Sequence, residues 1–263
     1  MKDEELDPRF PLEIEHKIFV IAFYDDLEMK DIANLLSVSK YVYEWLIPLV
    51  YEIVISYPNH TWPPMGFSPE NLLRYGKYIR HLLLSFGNEL YLSHCPNIVN
   101  LCVMVWDDTP NLIPALSSMK IKELAINLGT LPHSPELFQL CANITHLDCV
   151  PQDWDHFIGP SGWIPHFRNL THLMVPASER EGREIVEEVL QQLAKIQVFI
   201  ICGYSSSGTE VKELDAEIVY DDPRVVRLLL RFPSHWKTAA QGGLSQWKFA
   251  EEIVDRRRKK VST

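Results

Sequence analysis

A six-residue phrase recurs along this 263-residue chain and constrains its fold more than any other feature. The phrase reads apolar, two variable residues, apolar, variable, apolar. It is clearest in Ile79-Arg-His-Leu-Leu-Leu, Ile98-Val-Asn-Leu-Cys-Val, Ile121-Lys-Glu-Leu-Ala-Ile, Ile144-Thr-His-Leu-Asp-Cys, Leu170-Thr-His-Leu-Met-Val and Ile196-Gln-Val-Phe-Ile-Ile. Looser versions start at Val50 and Val225. Successive starts are 29, 19, 23, 23, 26, 26 and 29 residues apart, room for one short strand and one return segment. The fourth and sixth positions alternate at a period of two, so they point to one side of a strand. A strand with one buried face is unstable alone, and stacking the units as a parallel sheet gives them a continuous core.

Between the phrases lie turn prolines and short helical stretches. The clearest helix runs from Glu184 to Lys195, where Ile185, Val186, Val189, Leu190 and Leu193 form one apolar stripe. The spacing lies in or near the ~20–29 residues of leucine-rich repeats. The asparagine that usually follows the strand in such repeats is missing from its slot. The predicted fold class is therefore α/β, an irregular leucine-rich-repeat-like solenoid with a parallel sheet over residues 49–263. A short helical segment, residues 1–48, precedes it.

That first segment does not repeat. Pro11 suits a first helical turn, and Ile14, Ile18, Ile21 and Ala22 follow at helical spacing, up to Asp25-Asp26. A second helix is predicted from Asp31 through Leu35, Leu36, Ser39 and Val42 to Trp45, with Pro48 stopping it. Phe10-Pro-Leu-Glu-Ile-Glu-His-Lys-Ile-Phe, Asp31-Ile-Ala-Asn-Leu-Leu-Ser-Val-Ser-Lys and Trp45 together resemble the F-box motif. Phe10 stands for its first leucine, Ile32 for a second and Ser39 for its cysteine. Farther on, Cys95 to Leu101, Asn169 to Leu173 and the block Asp222 to Trp247 are similar to a fungal F-box-like group with degenerate leucine-rich repeats.

The resemblance implies an adaptor: N-terminal helices that dock on a Skp-type adaptor protein of a cullin-RING ubiquitin ligase, and repeats that hold a protein substrate. Phe10, Pro11, Leu12, Ile14, Ile18, Leu36 and Val38 would meet the adaptor. Physically, a short helix pair with more apolar residues than it can bury wants a partner surface. The same residues can instead cap the open end of the repeat sheet, as terminal units must, leaving an orphan repeat scaffold.

The third slot of the phrases holds His81, Asn100, Glu123, His146, His172, Val198 and Arg227, with Asp148 two residues after His146. In a parallel sheet these are expected on the exposed face, a mixed-polarity surface for the substrate. Two histidines and an aspartate also admit a metal site, though the variability of the slot favours recognition, so no metal or cofactor is predicted. Gly203-Tyr-Ser-Ser-Ser-Gly lacks the G-x-S-x-G of a nucleophile elbow. No Walker loop, G-x-G-x-x-G or H-E-x-x-H occurs, so an enzyme is not expected and a hydrolase stays a remote alternative. Trp154 and Trp163 are expected to anchor a long return by packing.

The charges exclude a further class. The net charge is −10, and Asp255 to Lys260 carries +4 of it, leaving −14 elsewhere. So acidic a body repels phosphate backbones, and no nucleic-acid partner is expected. Gln246 to Lys260 reads as an amphipathic helix whose basic end complements its negative pole. With 46% apolar and 23% charged residues the chain is globular, not disordered. The acidic start lacks a signal-peptide core and no apolar run is long enough for a membrane span. The five cysteines form no C-x-x-C pair and are expected reduced. Localisation is thus expected to be cytoplasmic or nuclear, without a membrane partner, and the sequons at Asn59, Asn143 and Asn169 unglycosylated.

Overall fold

The computed structural model describes residues 10–24, 29–57, 60–63, 68–85, 89–104, 112–128, 131, 133–149, 154–159, 161–177, 183–205, 211–214, 220–232 and 234–261. Asp25, Asp26, Asn59, Asp153, Ser206 and Ser207 lie outside them. The chain divides into two compact units, Met1–Glu52 and Ile53–Thr263.

The first unit holds three helices among its described residues: α1 (Leu12–Tyr24), α2 (Met29–Leu36) and α3 (Lys40–Val50). The single helix expected from Asp31 to Trp45 is thus two. Ser39 divides them, because its extended backbone and its hydroxyl, accepting from Val42 N–H at 3.2 Å, cap a new helix. Pro48 does not stop α3, which runs on to Val50. A proline there forfeits one helical hydrogen bond and crowds the carbonyl one turn back, yet only two residues follow it before the helix ends.

The second unit is built on one ten-stranded sheet. Its strands are β1 (Ile53–Tyr57), β2 (His60–Trp62), β3 (His81–Ser85), β4 (Asn100–Met104), β5 (Glu123–Ile126), β6 (His146–Cys149), β7 (His172–Pro176), β8 (Val198–Tyr204), β9 (Lys212–Glu213) and β10 (Val225–Leu230). They lie in the order β2-β1-β3-β4-β5-β6-β7-β8-β10-β9. β1, β3 to β8 and β10 are mutually parallel and adjacent in chain order, while β2 and β9 add antiparallel edges. The returns carry α4 (Pro69–Tyr75), α5 (Leu112–Ser117), α6 (Pro135–Cys141), α7 (Trp154–Ile158) and α8 (Arg183–Gln192). After β10 come α9 (Ser234–Ala240) and α10 (Gln246–Val261).

The six clear phrases stack in register. His81, Asn100, Glu123, His146, His172 and Val198 are successive partners, as are Leu82, Leu101, Leu124, Leu147, Leu173 and Phe199. The entry to each strand repeats one device: the Arg80 carbonyl accepts from Val99 N–H and Asn100 N–H, at 2.9 and 3.1 Å. The carbonyls of Val99, Lys122, Thr145 and Thr171 do the same one unit later. Asparagines just before the phrase add a side-chain bridge to the preceding unit, Asn97 Nδ2 donating to Lys77 O at 2.6 Å and Asn169 Nδ2 to Ala142 O at 2.8 Å.

The two outer phrases are displaced. Val54, not Ile53, pairs with Leu82, and Val225, not Leu228, pairs with Phe199. Shifts of one and three residues exchange the faces, so Arg227 leaves the row of third slots. Ile53, Val54 and Ile55 are all buried, as are Val225, Val226 and Leu228, so in these strands the apolar pattern does not set the register.

Both faces of the sheet are covered. Leu82, Leu101, Leu124, Leu147 and Leu173 are buried on one, where the returns supply Leu72, Leu116, Leu137 and Val186. On the other, Trp236 of α9 packs with Ile53, Ile55, Leu83 and Cys102, and Trp247, Ala250, Ile253 and Val254 of α10 pack with Met174, Val198, Ile200, Val226 and Leu228. All five cysteines are buried and unbridged. No helix among the described residues is long and apolar enough to cross a membrane.

Leu147 has no exposed surface in a middle strand. Leu147→Asp puts an unpaired charge there and is expected to unfold the second unit, at a cost above about 3 kcal/mol in urea titration. A loss below about 1 kcal/mol would contradict the facing of β6.

Candidate functional site

In the first unit the sequence supplies more apolar residues than three short helices bury. Pro11 opens α1, its carbonyl accepting from Ile14 N–H at 2.8 Å and Glu15 N–H at 3.1 Å. One side of the helix turns inward within the unit: Phe19, Ala22 and Phe23 are half-buried, and His16 meets the edge of Trp45 at 5.2 Å. The other side, Ile14, Ile18 and Ile21 at helical spacing, faces out, with Ile21 70% exposed. Phe10, Leu12, Val38 and Tyr41 are exposed as well, so α1 is apolar on both sides and buries no residue fully. Of the residues expected to meet an adaptor, Phe10, Pro11, Leu12, Ile14, Ile18 and Val38 are exposed and Leu36 is half-buried. The pattern of exposed apolar residues extends to Ile21, Tyr24 and Tyr41, which the motif does not include.

In the second unit the polar row lies together, as the phrases require, but not in the open. His81, Asn100, Glu123, His146 and His172 are in register on the face that α9 and α10 cover, with Asp148 one pleat further on. Asn100 and His172 are buried; His81, Glu123, His146 and Asp148 are half-buried. This corrects the expectation of an exposed recognition face. The missed signal is in the C-terminal block, where Trp236, Trp247, Ala250 and Val254 need an apolar surface that this face supplies.

Asn100 Nδ2 donates to Glu123 Oε2 at 3.1 Å. The imidazoles of His146 and His172 stack with centroids 4.1 Å apart and planes 10° off parallel, and Trp247 presents its edge to both. Thr145 Oγ1 lies 2.9 Å from His146 Nδ1 and Thr171 Oγ1 lies 2.8 Å from His172 Nδ1, one arrangement in consecutive units. His172 Nε2 meets Glu251 Oε1 of α10 at 3.1 Å, a polar tie between helix and sheet.

Burial governs the protonation of this row. It drives His146 down to about 3, aided by His172, and pushes Asp148 up to about 7. Burial also raises Glu123 and lowers His81 and His172, with Glu251 opposing the shift at His172. Burial thus disfavours the charged form along the row, and its thiol neighbour Cys102 is pushed well up by the same cause. No group of three His, Cys, Asp or Glu among the described residues is placed to hold a metal ion. Gly203 and Tyr204 continue β8, so the described part of that loop makes no strand-to-helix turn. Trp163 is buried, its ring meeting His133 at 4.5 Å and Phe138 at 6.0 Å, as a packing anchor does. The sequence matches no protein-family model, and no curated protein matches it.

The two principal shifts oppose one another. His146, lowered in the fold, costs stability as pH falls from 6.5 toward 3; Asp148, raised in the fold, costs stability as pH rises from 3.8 to 7. Asp148→Asn removes the second cost alone. The variant is expected to be roughly 1–3 kcal/mol more stable than the parent at pH 7.5, with the gain fading below about pH 5. A pH-independent difference in urea midpoints would contradict the burial of Asp148.

Proposed function

We propose that the chain is a non-enzymatic protein–protein interaction module: an F-box-like adaptor that docks on a Skp-type protein of a cullin-type ubiquitin ligase. Its body is read as a degenerate leucine-rich-repeat-like solenoid, a reading supported by eight parallel strands in chain order. The observation that carries the docking role is the outward stripe Ile14, Ile18 and Ile21 on a helix whose other side already faces its own unit. Such a surface costs free energy in water and gains it against an apolar partner. Phe10, Pro11, Leu12 and Val38 add exposed apolar surface in the same unit, and Leu36 is half-buried. The setting of this role is cytoplasmic or nuclear.

The filled polar face favours one further reading. With α9 and α10 over the row from His81 to His172, the second unit also suits a repeat scaffold that engages partners through other surfaces.

Coexpression with a Skp-type adaptor is expected to give a one-to-one complex on gel filtration. Ile14→Asp with Ile18→Asp is expected to abolish it while leaving the melting temperature within about 2 °C, because both side chains are exposed. Separate elution of a folded parent chain would overturn the docking role and leave the scaffold.

A further inference from the structure

The described residues contain three buried side-chain atoms without a hydrogen-bond partner: His81 Nδ1, Trp236 Nε1 and Gln246 Oε1. Two of them, Trp236 Nε1 and Gln246 Oε1, belong to residues in the wall of one cavity, where α9 and the start of α10 meet β4, β5 and β6. Trp236 is 4% exposed and Gln246 5%. The wall is completed by Asn100, Glu123, His146 and Asp148. The cavity measures about 20 Å3. On that measure, roughly 10–15 Å3 is enough for one water molecule.

The chemistry of the wall selects among species of that size. The indole N–H of Trp236 only donates, and the carbonyl oxygen of Gln246 only accepts. Some polar atoms of the wall are engaged: Asn100 Nδ2 donates to Glu123 Oε2, and His146 Nδ1 is paired with Thr145 Oγ1. An occupant must therefore accept one hydrogen bond and donate another. A metal ion or ammonium accepts none, and the indole hydrogen repels it. An anion donates none and would face the Gln246 carbonyl and two carboxyl groups. Water does both, and its second proton is left for a carboxyl oxygen of the same wall. The geometry points to a single-water site at this junction, with Trp236 and Gln246 as its donor and acceptor.

The water ties three elements together. It gives α9 and the first turn of α10 a polar link to the sheet, beside the apolar packing of Trp236 and Trp247. An unsatisfied buried group is costly, so filling both valences with one water removes two such costs.

The test is a water-selective NOE and ROE measurement on the full chain with 15N-labelled tryptophan. The Trp236 Nε1 proton is assigned by its loss in Trp236→Phe or, should that variant not fold, by elimination as each of the other six tryptophans is replaced singly. A cross-peak to a water residing longer than about a nanosecond, of NOE and not exchange type, is the expected result. Its absence would overturn the site. Gln246→Leu gives an independent reading. With water present it strands the indole and lowers the folding equilibrium constant roughly tenfold. In a dry cavity it removes an unsatisfied acceptor, and an unchanged or raised constant would overturn the site.

Discussion

The second unit depends on how its sheet buries two faces. Stacked parallel strands with one return each can cover only one side with those returns, and the other side then faces water unless something else lies on it. Here the strands carry Ile53, Ile55, Leu83, Cys102, Met174, Ile200, Val226 and Leu228 on that second side, which is too apolar to be left wet. α9 and α10 meet the need with Trp236 over one end of the sheet and the stripe Trp247, Ala250, Ile253 and Val254 over the other. At roughly 25 cal/mol per Å2 of apolar surface, two buried tryptophans and their partners contribute several kcal/mol. The middle of the face, where the apolar residues give way to Asn100, Glu123, His146, Asp148 and His172, is drawn into the same interior. Burial there disfavours its charged forms, with Glu251 opposing the shift at His172.

The ends of α10 are fixed by different means. Ser245 caps its start, accepting from Lys248 N–H at 3.1 Å. Near its end Arg257 donates to Val225 O at 2.6 Å and to Glu213 at 2.9 Å, joining the helix to β10 and β9. Part of the basic run is therefore structural, which the run of charges alone does not reveal.

Much of this was legible in the sequence, and the limits have physical causes. The six phrases from Ile79 to Ile196 show strand and register because the same apolar slots recur in each, although among them only β5 and β6 alternate in burial. The outer two, from Val50 and Val225, fit the template only loosely, and strands buried on both sides offer no alternation to correct their register. The α8 stripe and the helix from Gln246 follow from helical periodicity. From sequence Ser39 reads as interior to a helix, since a serine inside an apolar run looks the same whether it caps or continues. The row from His81 to His172 was recognisable as a row. Its burial was not, because what covers it lies more than sixty residues further along the chain, and the phrase carries no trace of a distant helix. The exposed stripe of α1 was legible for a complementary reason: apolar residues on both sides of one short helix leave one side without an internal partner.

Native-state hydrogen exchange of the full chain tests the central claim, that α10 is the second layer of the sheet's core and not an appended helix. The amides from Phe249 to Arg257 are expected to open with the same free energy as those of β8, in one cooperative unit. Exchange in α10 at least a hundredfold faster than in β8, with β8 still protected, would contradict it.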